Sequence, residues 1–282
     1  MATLLREAKE FDLELQFAPA PDARTYLSYQ FSRYPFHICR AQYMDTEPVG
    51  MATVYLQSSA GGIFANDNLS TRLHALKGAR AHVTTQASTV VHRMDHGDAC
   101  QTVDIRVEDD GFLEYLPDPM ILFPNATLKS RVLVRKAPSA SVIMVDSYLA
   151  HDPAAREDVF SELYNEIRVE DLDEHLLCLD RNVFSGDAFI DDNVGIMGPN
   201  FALGTFLMLN SSLQCEPACA ALRDSLQAHA EVYAGISALP NQCGVWARVL
   251  SLEAVASRAA LNALWRTARK LLVGSYPGIR RK

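Results

Sequence analysis

The densest group of side chains that could do chemistry lies in residues 92–100. This segment reads His92-Arg-Met-Asp-His-Gly-Asp-Ala-Cys100, and imidazole, carboxylate and thiolate groups all suit nickel or zinc. Two histidines four residues apart share a face only on a helix, whereas the flanking sequence is typical of a strand followed by a turn. The pattern favours a polar turn, and His92 with His96 is kept as an alternative pair of metal contacts.

Three carboxylates fall at informative places in the sequence. Asp146 interrupts the apolar strand pattern Ser141-Val-Ile-Met-Val-Asp-Ser-Tyr-Leu149, where a buried carboxylate must be paired, hydrogen-bonded or directed at a metal. A functional and a structural role are both compatible with that position. Asp67 follows the Gly61-Gly62 turn, where an aspartate can cap its own backbone. Glu114 is predicted on the exposed face of an alternating strand.

The cysteines give no sign of a disulfide framework or of a closed metal site. They are spread along a long chain, unlike the dense cysteines of small secreted domains, so most are predicted to be reduced core residues. Cys215 and Cys219 fall at the predicted start of a helix without a second ligand pair nearby. That spacing favours core packing. The six are Cys39, Cys100, Cys178, Cys215, Cys219 and Cys243.

Local catalytic signatures are missing from the sequence. It contains no nucleophile elbow, P-loop, His-Glu-x-x-His motif or spaced dinucleotide-binding glycines. Residues far apart in sequence can still form an active site, so a metal-dependent β-rich enzyme using His92, His96 and Asp98 is one alternative. A β-rich interaction module without a metal role is another.

Charge and composition limit the partners that we expect. The chain of 282 residues carries a formal charge of −8, which argues against nucleic acid as the main partner. No apolar run reaches the roughly 18 residues that span a bilayer, and the N-terminal ten residues lack a signal-peptide core. We therefore expect a soluble, cytoplasmic protein. Residues 157–192 hold twelve acidic and two basic residues, whereas residues 258–282 hold seven basic and no acidic ones; such blocks form solvated faces or orient a partner.

Strand patterns dominate the first two thirds of the chain. Thr102-Val-Asp-Ile-Arg-Val107 alternates apolar and polar residues with period two, and Leu128-Lys-Ser-Arg-Val-Leu-Val-Arg135 does so nearly as well. Prolines bracket Met120-Ile-Leu-Phe123, which we therefore expect at a strand end or sheet edge. Turn signals recur every 8 to 15 residues or so, which indicates an all-β layered or coiled architecture.

Helical patterns are concentrated in the C-terminal third. Residues 217–230 carry an apolar face, and a longer apolar stripe follows Ser251, which we predict as the N-cap. Gly274 is the predicted stop. The sequence thus predicts a mainly β fold with a few helices, mostly in the C-terminal third. It is interpreted as one domain with a β-rich body at about 1–210 and a mixed part at about 211–282.

Several motifs together resemble the UreD (UreH) family of urease accessory proteins. Gly61-Gly-Ile-Phe-Ala-Asn-Asp67 is similar to that family's Gly-Gly-x-x-Gly-Gly-Asp segment, with Ala65-Asn66 in place of the second glycine pair. Thr84-Thr-Gln-Ala-Ser-Thr-Val-Val-His-Arg93 and Leu113-Glu-Tyr-Leu-Pro117 resemble two further family segments. The resemblance is poorer at residues 151–157 and at the C-terminal end.

The resemblance implies a β-rich, helix-like stack of sheets and no catalysis by this chain. It implies three partners, namely apo-urease, a helical accessory protein of the UreF type and, through that complex, a nickel-carrying GTPase of the UreG type. It also implies that nickel passes transiently through the protein without a tightly bound cofactor. The motif match places Asp67, Thr89 and Asp146 as candidates for lining that passage, because weak serial oxygen ligands let an ion leave again.

Overall fold

The structure, a computed structural model, describes residues 10–151, 158–191, 193–278 and 280. The expectation for the N-terminal ten residues therefore falls almost wholly outside the described residues, as does most of the segment 151–157. Seventeen strands lie in the described part of the chain. They are β1 (Leu13–Pro19), β2 (Thr25–Ser32), β3 (Phe36–Ile38), β4 (Ala52–Ser58), β5 (Asn68–Ala75), β6 (Arg80–Thr85), β7 (Thr89–Val91), β8 (Ala99–Val107), β9 (Phe112–Leu116), β10 (Met120–Leu122), β11 (Thr127–Lys136), β12 (Ser141–Ala150), β13 (Glu162–Glu170), β14 (Leu176–Ser185), β15 (Ala202–Leu209), β16 (Val232–Ala238) and β17 (Gly244–Ser251).

The strands form two sheets that the chain visits in turn. A seven-stranded sheet has the order β14-β13-β11-β8-β5-β1-β2, and a ten-stranded sheet has the order β16-β17-β15-β12-β9-β6-β4-β3 with β10 and β7 attached beside β12. From β4 to β13 successive long strands alternate between the sheets and pair in parallel with the previous turn of the chain. This winding confirms the predicted mainly β, helix-like stack.

The period-two patterns read from the sequence correspond to strands whose alternate side chains face the interior. Val103, Ile105 and Val107 on β8 are buried, as are Val132 and Val134 on β11. Inward residues of both sheets pack face to face, as in a layered β protein. One large apolar cluster lies near the C-terminal ends of β8, β11 and β13 and the N-terminal end of β12, and a second lies near the opposite ends of these strands.

Three α-helices are defined in the described residues, and two lie in the predicted C-terminal third. They are α1 (Gly186–Ile190), α2 (Cys215–Ser225) and α3 (Ala254–Val273), with a short 3-10 helix at Pro240–Gln242. The buried faces of α2 and α3 cover the outer face of the ten-stranded sheet through a third apolar cluster. Cys219 is buried in this cluster, as predicted, and all six cysteines are free.

Two boundary predictions were wrong. Ser251 does not cap α3, because it is the last residue of β17 and is held there by pairing with Val232 and Ala202; Glu253 is the N-cap. Residues 120–123 were expected at a strand end or a sheet edge. The sheet-edge alternative is wrong, since Met120–Leu122 pairs with β7 on one side and β12 on the other. The prolines flank this three-residue strand, so its own N–H groups stay available. Gly274 ends α3 with φ 84°, as predicted.

Candidate functional site: a polar belt between the sheets

A row of polar side chains crosses the interior between the two apolar clusters. The register of the seven-stranded sheet places Gln101, Ser130, Asn165 and Asn182 side by side on four neighbouring strands. The register of the ten-stranded sheet places Asp146, Thr205 and Arg248 side by side on three. These seven inward-facing residues are called the polar belt.

Asp146 is the centre of the belt and links the two sheets. Its Oδ2 accepts hydrogen bonds from Asn165 Nδ2 at 2.6 Å and from the Tyr148 hydroxyl at 3.0 Å. Asn165 Nδ2 also contacts the Tyr148 hydroxyl at 2.9 Å. Only 6% of Asp146 is exposed, so the carboxylate is satisfied by protein groups in an otherwise apolar interior. Asp146 therefore has the structural role that its sequence context allowed, in a place that also suits a functional one.

The buried position changes the acidity of Asp146. Burial raises its pKa from the ordinary 3.8 to about 6, while the hydrogen bonds from Asn165 and Tyr148 act in the opposite direction. The carboxyl group therefore changes charge close to neutral pH, and it is mostly ionised above pH 7. Burial and the nearby Asp146 charge also raise the pKa of Tyr115 above its ordinary value, so Tyr115 stays a neutral hydroxyl.

One end of the belt meets a cavity of about 280 Å³. Its lining includes Gln101 of the belt and Tyr115, and it extends to Thr89 and the Gly61-Gly62 turn. Thr89, predicted from the motif match, therefore lines the same cavity as Gln101. Hydroxyl and amide groups thus line the cavity, and the belt adds the carboxylate of Asp146. The oxygens of such groups are ligands for divalent cations.

The other end of the belt is closed by a charged pair. Arg248 donates from Nη2 to Asp180 Oδ2 at 2.7 Å and from Nη1 to Asn182 Oδ1 at 3.2 Å. Its guanidinium also lies 5.0 Å from the Trp246 ring centre. Arg248 and Asp180 are about one fifth exposed, so this pair lies where the interior meets the solvent. The sequence patterns singled out none of these residues.

Asp67, the third residue of the predicted passage, lies outside the lining of that cavity. Its Oδ2 accepts a hydrogen bond of 2.8 Å from the Phe64 N–H, which is the turn-capping role that its sequence context allowed. Asn66 beside it adopts φ 68°, a left-handed conformation that asparagine tolerates better than most residues. The replacement of a family glycine by Asn66 is therefore compatible with a tight turn.

The residues of the alternative enzyme do not come together. His92 stacks on Phe64 with ring centres 4.4 Å apart, and its Nε2 lies 3.0 Å from the Gly61 carbonyl oxygen. His96 is exposed on the turn, while Asp98 forms an ion pair with Lys129. The segment is non-helical, as the sequence indicated. His92, His96 and Asp98 do not form a group with three ligand atoms within 4.8 Å.

In the described part of the chain, one such group of potential ligands does occur. It consists of Asp171, Asp173 and His175 in the turn between β13 and β14. Asp171 Oδ1 accepts from the N–H groups of Asp173 and His175, and its other oxygen lies 3.0 Å from His175 Nδ1. These contacts are those of an aspartate-capped turn.

Among the described residues, we also find no helix long and apolar enough to cross a membrane.

The prediction for Glu114 was wrong, because this side chain is fully buried. It accepts hydrogen bonds from Trp265 Nε1 at 2.8 Å, Arg269 Nε at 2.6 Å and His82 at 2.7 Å. Arg269 in turn lies 3.3 Å from Asp45. Burial opposes the ionisation of Glu114, but the bonds from Arg269 and His82 outweigh it and lower the pKa to about 2. The network ties α3 to the outer face of the ten-stranded sheet.

Sequence comparison gives one consistent result. Residues 9–282 match the family described as UreD urease accessory protein. The chain is 40% identical to "Urease accessory protein UreD 1" of Pseudomonas syringae pv. syringae strain B728a over 95% of its own length and 94% of the relative. It is 38% identical to the protein of the same name from Pseudomonas syringae pv. tomato strain DC3000, over 100% and 99%. A more distant relative, "Urease accessory protein UreD" of Natronomonas pharaonis, is 31% identical over 94% and 89%.

Proposed function

The chain belongs to the UreD family of urease accessory proteins, and on that basis we propose that it is a non-catalytic scaffold that helps insert nickel into urease. In this proposal the chain binds apo-urease and a helical accessory protein of the UreF type. A nickel-carrying GTPase of the UreG type joins through that complex, and GTP-dependent release supplies the ion. The complex acts in the cytoplasm, and nickel is its cargo.

The observation that carries the proposal is the path of polar groups that leads to Asp146. From Thr89 the cavity leads to Gln101 and Tyr115, and the belt continues from there to Asp146. Removing a carboxylate from water costs free energy, which the hydrogen bonds that Asp146 accepts offset in part. Its presence between two large apolar clusters suits a protein that must offer a cation an oxygen ligand there.

The ligand types along this path suit transfer better than storage. Hydroxyl and amide oxygens bind nickel weakly, and one carboxylate adds a single negative charge. A thiolate or histidine cluster would hold the ion, whereas a series of weak sites lets it move on. Burial raises the pKa of Asp146 to about 6, so loss of its proton and arrival of a cation favour each other. In this proposal Thr89 and Asp146 contact nickel directly. Asp67 holds the turn that follows Gly61-Gly62, and these glycines line the cavity.

Arg248 defines the far end of the route. A guanidinium repels a divalent cation, so nickel can leave past Asp180 only after the Arg248–Asp180 pair separates or swings outward. The pair lies between β14 and β17 at the open side of the two sheets. We propose that a partner docks at this side and draws Arg248 away, which couples the opening of the route to complex formation.

The test is urease activation with this chain present, absent, or carrying Asp67→Ala together with Asp146→Ala. Urease activity, the nickel content of urease, the amount of each protein and complex formation are measured together. The proposal expects no activation without the chain. It expects weak activation with the double variant although the complex still forms.

Three results would count against the proposal. Full activation in the absence of the chain would remove the urease role altogether. Full activation by the double variant would leave the scaffold role intact but remove both the nickel route through Asp146 and the need for the turn that Asp67 holds. Loss of the complex itself would assign the two residues to folding or docking instead.

A further inference from the structure

A cavity of about 500 Å³ lies on the outer face of the ten-stranded sheet, away from the polar belt. Its walls are α3, the outer side chains of the sheet and the C-terminal segment near Gly278. Leu116, Val145, Leu261 and Trp265 give it apolar surfaces. This is the size of a small-molecule site, and such sites combine apolar walls with a few polar groups.

Three arginines line this cavity. Arg258 and Arg266 lie on α3 two turns apart, and Arg280 comes from the C-terminal segment. Among the described residues, neither Arg258 nor Arg266 lies within 4.0 Å of a carboxylate oxygen. Asp118 is the acidic residue in the lining. Arg258 is exposed, and the guanidinium of Arg266 lies 5.3 Å from the Tyr276 ring centre. Both arginines thus line the cavity without an ion-pair partner from the described chain.

Arg280 adds a buried donor at the same place. Its side chain is only 7% exposed, and its Nη2 pairs with Asp45 at 2.6 Å. Its Nε is buried without a hydrogen-bond partner in the described residues, and an unmade hydrogen bond of this kind is costly. Because Arg280 lines the cavity, a bound acceptor that reaches this nitrogen would satisfy it.

The neighbouring buried ion pairs do not cancel the charge of Arg258 and Arg266. Glu114 and Asp45 are matched by Arg269 and Arg280, and burial lowers the pKa of His82 despite its contact with Glu114, so that histidine is neutral near pH 7. The surplus positive charge comes from the two arginines of α3 against Asp118. It agrees with the run of seven basic and no acidic residues in positions 258–282 of a chain whose net charge is −8.

We propose that this cavity binds a carboxylate carried on an apolar group. Guanidinium groups bind carboxylates with paired, charge-assisted hydrogen bonds, and Trp265 with Leu261 offers a surface for the apolar part. The carboxylate can come from a small organic acid or from an acidic side chain or C-terminus of a partner protein. The chemistry is the same, and it does not depend on the nickel route.

The first experiment uses the full-length chain and 3-phenylpropionate as the probe, with 3-phenylpropionamide as the uncharged control. Ligand-observed NMR measures binding of each compound. The acid is expected to bind, and the amide is expected to bind roughly tenfold or more weakly because it lacks the charge-assisted bonds. Arg258→Gln with Arg266→Gln should reduce acid binding by a similar factor.

A matched control removes the same two charges elsewhere. Arg24 and Arg93 are exposed, with 62% and 66% of their side chains accessible, and neither lines the cavity. Arg24→Gln with Arg93→Gln should leave acid binding unchanged. Equal binding of acid and amide, no binding of the acid, or equal losses in both double variants would overturn the proposal.

The source of the carboxylate is decided in a second arm. The complex of this chain with urease and the accessory proteins is titrated with 3-phenylpropionate, and dissociation is followed by size-exclusion chromatography. If 3-phenylpropionate displaces a partner, and the chain with Arg258→Gln and Arg266→Gln also fails to bind that partner, the carboxylate belongs to the partner protein. An unchanged complex alongside acid binding identifies a free organic acid. Neither result depends on whether nickel passes Asp146, so the two proposals fail separately.

Discussion

Asn165 donates a hydrogen bond of 2.6 Å to the carboxylate of Asp146, and this bond joins the two sheets across the interior. Asn165 lies on β13 of one sheet and Asp146 on β12 of the other. Each residue is flanked along its strand by inward apolar side chains, such as Ile167 and Met144. A polar contact at this depth is specific to one pairing of the sheets, because a shift by one residue would leave both groups unpaired.

The first prediction concerns the pH dependence of stability. The folded-state pKa of Asp146, about 6, lies above its ordinary 3.8. Its protonated form therefore stabilises the fold fully below about pH 4, and this contribution is lost as the pH rises through 6. The substituted side chain in the Asp146→Asn chain cannot ionise. The free energy of unfolding of this variant minus that of the native chain should therefore rise by up to about 3 kcal/mol from pH 4 to pH 8.

Urea denaturation of the native and Asp146→Asn chains at several pH values measures that difference. A difference that stays constant from pH 4 to pH 8 would show that burial does not shift the acidity of this carboxyl group.

The second prediction concerns Glu114 and its buried partners. Glu114→Gln removes the charge that neutralises Arg269, and breaking a buried ion pair in this way costs about 3–5 kcal/mol of unfolding free energy. Because the pKa of Glu114 is lowered to about 2, the stabilisation is present above about pH 4.5 and is lost only as the pH falls toward 2.

Denaturation at pH 7 checks this value against Glu216→Gln, an exposed position in the first turn of α2. The control should cost less than about 1 kcal/mol. Similar losses in both variants would contradict the buried network.

Glu114 also shows what sequence patterns miss. Its position in an alternating strand gave an outward orientation correctly, because it lies on the outer face of the ten-stranded sheet. The pattern could not show that α3 covers that face, since Trp265 and Arg269 are 151 and 155 residues away. Exposure depends on such distant packing, whereas strand position depends on local alternation.

The third prediction concerns the Gly61-Gly62 turn, which lines the cavity that contains Thr89. A Cβ on Gly62 would lie 2.3 Å from the Val90 carbonyl oxygen, at φ 145°, whereas one on Gly61 would meet nothing within 4 Å. Gly62→Ala should therefore cost roughly 1–3 kcal/mol, and it should slow urease activation by displacing the turn. Gly61→Ala is the matched control. Equal behaviour of the two variants in denaturation would mean that the turn adapts freely.

The fourth prediction concerns Thr89, which lines the cavity. Thr89→Val keeps the size of the side chain and removes its hydroxyl oxygen. One weak oxygen contact is worth about 1 kcal/mol, so the initial rate of urease activation should fall roughly 3- to 10-fold. Thr102 lies on the face of β8 that points away from the interior. Thr102→Val should therefore leave the rate unchanged. An unchanged rate for Thr89→Val would place nickel elsewhere.

The candidate site was only partly predictable. Asp146 stood out because a carboxylate interrupted an apolar run, and Thr89 and Asp67 came from motif similarity. Asn165 and Arg248 lie on strands that alternate, and nothing local distinguishes an inward polar residue there from an outward one. Thr205 lies within the buried apolar run of β15, where a hydroxyl is a weaker signal than the carboxylate of Asp146. They become recognisable only when the register of both sheets brings them into one row.

The fold was more predictable than the site, for a related reason. Strands such as β8 and β11 are defined by their own alternation, and the predicted runs fall within their observed bounds. The order of strands in the two sheets depends on how successive turns of the chain stack. The motif resemblance implied a helix-like stack of sheets but not this order. The cap of α3 was wrong because pairing in β17 overrode a local preference of Ser251.

The most direct test of the nickel route is urease activation by the Asp146→Asn chain, with complex formation and unfolding free energy measured on the same preparation. The account predicts a chain at least as stable as the native one at pH 8, an intact complex, and activation reduced by roughly tenfold or more because the charged ligand is gone. Native activation by this stable variant would contradict the route through Asp146.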